Sequence, residues 1–142
     1  MLLDYISEIY NGHAKVRRDG FWGMIDIRGK LIIPCIYEQI STFSNYGIIV
    51  EKDGIVFVVD SNNNRIALIN DDAGKEAMFE EKMHIPDENL TPIKQGEYWG
   101  YINAKGDIVI EPVFLEVKNF SNGRAPVLTK SGWYIISLKE YK

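Results

Sequence analysis

The chain predicts an all-β fold of antiparallel meander units, stacked into a curved solenoid-like or partly closed sheet with one short helical insertion. Three observations carry that expectation. A passage of sequence occurs twice, tryptophan slots recur at near-constant spacing, and short runs of aromatic and branched residues alternate with Asp or Asn turns ending in glycine. Sliding the chain by 77 aligns residues 22–50 with 99–127 without a gap, and nine of 29 positions are identical, so the match is not a chance motif. They are Trp22/Trp99, Gly23/Gly100, Ile25/Ile102, Gly29/Gly106, Ile33/Ile110, Phe43/Phe120, Ser44/Ser121, Asn45/Asn122 and Val50/Val127. A slide of 34 sets Trp99 on Trp133 and Trp22 on Val56, and a slide of 111 sets "EIYNGHAKV" on "NFSNGRAPV". Self-similarity at a fixed period marks a repeat architecture.

The organisation that follows is a single domain over residues 1–142, large enough for a real core. It holds a partial unit at 1–20 and units starting near 21, 55, 98 and 132. The interval between the slots at 56 and 99 is longer than its neighbours, which assigns an insertion to about 66–87.

Each unit justifies its strands in order. "FWGMID" and "YWGYIN" are rich in strand-forming residues, and each ends at an Asp or Asn that opens a turn closed by Gly29 or Gly106. "KLIIP" and "DIVIEP" supply a second strand, where Pro34 or Pro112 is expected to end the pairing or hold it at an edge. "IYEQI" and "VFLEV" give a third, and "GIIVEKDG" and "APVLTKSG" a last strand that feeds the next unit. Successive side chains of a strand point to opposite faces, so Trp22 and Gly23 do different work. The indole fills one face, and the glycine lets a neighbouring backbone approach the other. Trp22, Gly23, Gly29, Trp99, Gly100, Gly106 and Trp133 are therefore expected to be structural.

At this point the sequence resembles a known family. "FWGMIDIRGKLIIP…YEQISTFSNYGIIV" and "YWGYINAKGDIVIEP…FLEVKNFSNGRAPV" are similar to the bacterial WG repeat, also called the KWG repeat. That pattern is a Trp-Gly-Tyr-Ile-Asp core, a Gly-Lys turn, Ile-Pro-Pro, a Tyr-Asp pair and Phe-Ser-x-Gly-Leu-Ala. The slot at Val56 has lost both its Trp and its Gly, and Trp133 is followed by Tyr134. The resemblance implies an all-β array without enzymatic activity and transfers no catalytic residue.

Composition narrows the function classes. A net charge of −4 and pI near 5.2 argue against nucleic acid as a partner and permit a basic one. The lone Cys35 rules out an internal disulfide and is expected to be a buried, inert thiol. No apolar run approaches the length of a membrane span, and the opening residues do not form a signal peptide, so a cytoplasmic location with no membrane partner is expected. His13 and His84 share no ligand spacing with Cys35, so no metal or cofactor is expected, and both are assigned to the surface. Lys15, Arg17 and Arg18 read as a solvated strand end.

Two surfaces are candidates for recognition. The insertion carries Asp71, Asp72, Glu76, Glu80 and Glu81 over a stretch of good helix formers near 72–83, which suits a basic protein partner such as a toxin domain. Tyr98 and Tyr101, with Tyr46, are expected to line an exposed face, since tyrosine is enriched at interfaces. The function expected is a non-enzymatic protein-binding module, in particular a toxin-neutralising immunity protein. The competing class is a carbohydrate or cell-wall binder, or an enzyme, that uses an aromatic face.

Overall fold

The computed structural model describes residues 2–44, 47–69, 79 and 90–138. Fourteen strands over these residues form four antiparallel sheets, each in simple meander order. The first sheet is β1 (Tyr5–Ile6), β2 (His13–Arg18), β3 (Phe21–Asp26) and β4 (Leu31–Tyr37). The second is β5 (Gln39–Ile40), β6 (Ile48–Lys52), β7 (Ile55–Val59) and β8 (Arg65–Ile69). The third is β9 (Leu90–Gln95), β10 (Tyr98–Asn103) and β11 (Ile108–Phe114), and the fourth is β12 (Glu116–Val117), β13 (Arg124–Thr129) and β14 (Gly132–Ser137). The all-β meander is thus as the repeat pattern requires. The helix expected near 72–83 lies outside the described residues except at Phe79, and β8 occupies the first residues assigned to the insertion.

The repeat holds at the level of individual pairs. Trp22 pairs with Arg17, Val56 with Glu51, Trp99 with Lys94 and Trp133 with Leu128, each slot at the same offset from its hairpin partner. Asp19-Gly20 and Asp53-Gly54 close their hairpins with both residues at positive φ, as a two-residue type I′ turn demands.

One side-chain oxygen organises each turn after the tryptophan strand. Oδ1 of Asp26 accepts the N–H groups of Arg28 and Lys30 at 2.9 and 3.0 Å. Oδ1 of Asn103 accepts those of Lys105 and Asp107 at the same two distances. Asp60 does likewise with Asn62 and Asn64, both at 2.9 Å. The Asn64 N–H foremost, aided by Asn62, holds the Asp60 carboxyl below its ordinary value of 3.8. A carboxylate with a depressed folded pKa adds stability above its unfolded pKa and loses it as pH falls through the folded one. Asp60→Asn, which reproduces what Asn103 does, is expected to hold the urea midpoint near pH 6 and to flatten its decline below about pH 4. Urea titrations at both pH values check this.

The Trp-Gly pair is explained by a bulge. Trp22 pairs with Tyr37 and Met24 with Ile33, so Gly23 alone faces three residues of β4. Trp99/Phe114 and Tyr101/Ile110 bracket Gly100 identically. A Cβ on Gly23 would lie 2.4 Å from the Ile33 carbonyl oxygen, and one on Gly100 would lie 2.3 Å from that of Ile110. Pro34 and Pro112 sit inside β4 and β11, where the bulge needs no ladder N–H from them. Pairing therefore continues past both prolines, and of the two outcomes the sequence offered the edge-strand one holds, since β4 and β11 are edges of their sheets.

Stacking buries the faces that single sheets cannot. Met24, Ile33 and Tyr37 of the first sheet pack on Ile40, Ile48, Val50 and Val59 of the second. Tyr101, Ile110 and Phe114 of the third pack on Phe120, Ala125, Val127 and Ile136 of the fourth, at repeat-equivalent positions. A third cluster joins the fourth sheet to the first: Trp133, Leu128 and Ile135 meet Ile6, Ile9, Ala14, Val16 and Ile25. Ile9, Ala14, Val16 and Ile25 are the 111-shift equivalents of Phe120, Ala125, Val127 and Ile136. The first sheet therefore receives the fourth with the same face by which the fourth receives the third. Among the described joints the stack runs third, fourth, first, second. Each large side chain buried there contributes about 1.5–3 kcal/mol.

Candidate binding surface

The joint between the fourth and first sheets has a polar and aromatic fringe. Tyr5 stands edge-on to Trp22 at 6.0 Å and to Trp133 at 5.6 Å. The Lys118 ammonium lies 4.8 Å from the Tyr5 ring centre. Burial pulls the Lys118 ammonium down, but Tyr5, then Glu116 and Glu8, outweigh it and hold it above the ordinary lysine value. Glu8 also accepts the Asn119 N–H at 2.9 Å, across the two ends of the sequence. These contacts tie sheets together and leave little free for a partner.

The free surface lies elsewhere, at repeat-equivalent exposed apolar residues. Phe21, Ile55 and Tyr98 each follow a hairpin turn, Ile36 and Val113 are the last residues of the bulge, and Leu31 and Ile108 open β4 and β11. All are exposed, from Phe21 at 46% and Tyr98 at 38% to Val113 at 62%. Exposed positions of a strand on a solvated face are normally polar, so the recurring apolar set stands out from the rest of that surface.

Where the first and second sheets meet, these residues line a groove of ≈ 520 Å³ formed by Phe21, Cys35, Ile36, Glu38, Lys52 and Asp53. Its floor is apolar and its margin charged. The 77-shift equivalents at the third and fourth sheets are Tyr98, Pro112, Val113, Leu115, Thr129 and Lys130, of which Tyr98, Val113, Leu115 and Lys130 are exposed. At the joint of the fourth and first sheets the corresponding places hold Gly132 and Leu2, and a Cβ on Gly132 would lie 3.4 Å from Leu2 Cδ2.

The sequence expectations divide as follows. Tyr98 is exposed, at a groove position. Tyr101 is not: it is fully buried, its ring edge-on to Phe120 at 4.7 Å and its hydroxyl donating to the Lys118 carbonyl at 2.6 Å. It occupies the place that Met24 fills in the first copy, on the face that packs onto the next sheet, so it belongs to the core. Asp71, Asp72, Glu76, Glu80, Glu81, Tyr46 and His84 lie outside the described residues. His13 is half-buried, stacked on Phe43 at 3.7 Å, between sheets. Lys15 is only 5% exposed, its ammonium 5.8 Å from the Trp22 ring centre, while Arg17 and Arg18 do face solvent. Cys35 is half-buried and not enclosed: it packs against the cluster that joins the fourth and first sheets and also lines the groove. Burial pushes its thiol above the ordinary value, with Arg18 opposing and Asp19 and Asp4 adding.

Phe21, Ile36, Glu38 and Asp53 escaped sequence reasoning as a group. Their signal was present in the alignment of Phe21 with Ile55 and Tyr98, and of Ile36 with Val113, but the groove needs two units side by side.

The geometry defines an all-β tandem-repeat protein whose joints carry corresponding outer positions. A family model described as WG containing repeat matches residues 22–54 and 99–133. The chain thus carries two segments similar to the WG repeat. Neither a curated protein nor a solved structure matches it.

Proposed function

We propose that this chain is a non-enzymatic protein-binding module that presents its outer grooves to a partner. The observation that supports this reading is the recurrence of exposed large apolar residues at equivalent positions, Phe21 with Tyr98 and Ile36 with Val113. Aromatic anchors in a concave setting with a charged margin are what tight protein contacts use. The sharpest form of the reading is an immunity protein that neutralises a basic toxin domain. The net charge of −4 and the carboxylates of Asp71, Asp72, Glu76, Glu80 and Glu81 favour a basic partner.

Affinity purification of the tagged chain is expected to return one stoichiometric protein. Phe21→Ser and Tyr98→Ser together are expected to weaken that complex by about 30-fold or more, the scale of a hot-spot loss, without moving the melting temperature. Substrate turnover by the purified chain, or a complex indifferent to both substitutions, would remove this reading. Co-expression that fails to protect cells from the captured partner would remove the immunity form alone.

A further inference from the structure

We propose that the groove between the first and second sheets accepts a partner segment that sets one apolar side chain beside a lysine or arginine. This inference rests on the protein-binding reading and adds the chemistry of the partner. The floor is Phe21, Cys35 and Ile36, and the margin carries Glu38, Lys52 and Asp53. Asp4, Asp19 and Arg18 stand close enough to act electrostatically on the Cys35 thiol. The Asp4 carboxylate accepts the Asp19 N–H at 2.8 Å, which fixes it beside the first hairpin tip. Arg18 is turned to Asp19 at 3.9 Å, so those two charges offset each other and the net acidity comes from Asp4, Glu38 and Asp53 against Lys52.

Glu38 and Asp53 in the lining, with Asp4 and Asp19 near Cys35, thus set four carboxylates about the groove against the two cations Arg18 and Lys52, of which Arg18 acts on the thiol more strongly than either aspartate. Such a field repels an acidic segment and draws a basic one, chiefly through the rate of encounter. An apolar side chain is drawn to the floor by burial, and a neighbouring cation gains both the carboxylates and the half-exposed Phe21 ring. The equivalent positions at the third and fourth sheets carry no such preference. Leu115 stands for Glu38 and Lys130 for Asp53, so the acidic margin is particular to the first groove.

Cys35 is the only cysteine, so its alkylation by N-ethylmaleimide in the intact chain reads occupancy of this groove. The probes are three short synthetic strand peptides: leucine alternating with lysine, leucine with glutamate, and serine with lysine. The leucine–lysine peptide is expected to protect Cys35 saturably, slowing alkylation about tenfold at ten times its Kd. Protection is expected to fade near 0.5 M salt, where the Debye length is only about 4 Å. The other two peptides are expected to give none. Glu38→Lys with Asp53→Lys, both at exposed positions, is expected to pass protection to the leucine–glutamate peptide.

Equal protection by the lysine and glutamate peptides, or none by either, overturns the assignment. So does a captured partner whose affinity and whose shielding of Cys35 are unchanged by the double substitution. In that last case the binding reading survives, and only this groove's specificity falls.

Discussion

Gly100→Ala is expected to melt about 10 °C or more below the parent chain, and Gly23→Ala to fall by a similar amount. The added methyl would meet the Ile110 carbonyl oxygen at 2.3 Å and the Pro112 nitrogen at 2.7 Å. Both obstacles are backbone atoms held in a bulge by ladder bonds on either side, so no side chain can swing away. Alanine gains about half a kcal/mol from a stiffer unfolded chain, but forcing a strand outward costs about 3 kcal/mol or more. Gly54→Ala makes the contrast. Nothing lies within 4 Å of its Cβ, and the penalty there is the positive φ of 78°, about 1–2 kcal/mol. Thermal and urea unfolding of the three variants test the ranking. A Gly100→Ala chain that melts with the parent would mean that the bulge yields, and the account of the Trp-Gly pair would fall with it.

Trp133→Ala is expected to cost about 3–5 kcal/mol and, beyond that, to split one unfolding transition into two. Trp133 is buried where the fourth sheet meets the first, against Tyr5 and the Ile6, Val16 and Ile25 cluster. The other two described joints are between sheets consecutive in the chain: β4 runs into β5 across Glu38 alone, and β11 into β12 across Leu115. The joint at Trp133 relies on side chains and on bonds such as Glu8 with Asn119. Removing its largest side chain leaves each pair of sheets its own core while weakening what couples them. Trp99→Ala is expected to cost less, because Trp99 is half-exposed with Lys94 6.0 Å from its ring centre. Calorimetry resolves both outcomes. A single, merely shifted transition for Trp133→Ala would mean that the coupling runs through other contacts.

What was legible in the sequence was local. Asp26, Asp60 and Asn103 open turns through bonds to residues two and four ahead, and such bonds need no knowledge of the rest of the fold. The role of Gly23 was readable in kind, since a glycine beside a tryptophan in a strand invites a close neighbour, though not the carbonyl it admits. What escaped depended on which sheet covers which. Tyr101 has the composition of an interface residue, and only the stacking of the third sheet on the fourth shows that it is core. The aligned Met24 was a hint, as an apolar residue in the same slot. Pro34 was legible as a mark of an edge strand, which β4 is, though not the bulge that removes the demand for its N–H. The groove is a property of two adjacent units, and neither contains it alone.

The order of packing makes the genetic order a rotation of the spatial one. A rewired chain that begins at Leu90, joins Leu138 to Leu2 through a tether and stops at Ile69 keeps every described joint. Its connection from the second sheet to the third is dispensed with, while the new tether must run back along β14, since Leu2 lies beside Gly132 at the opening of that strand and Leu138 follows its close. Chain order and packing order are, in this molecule, separate matters.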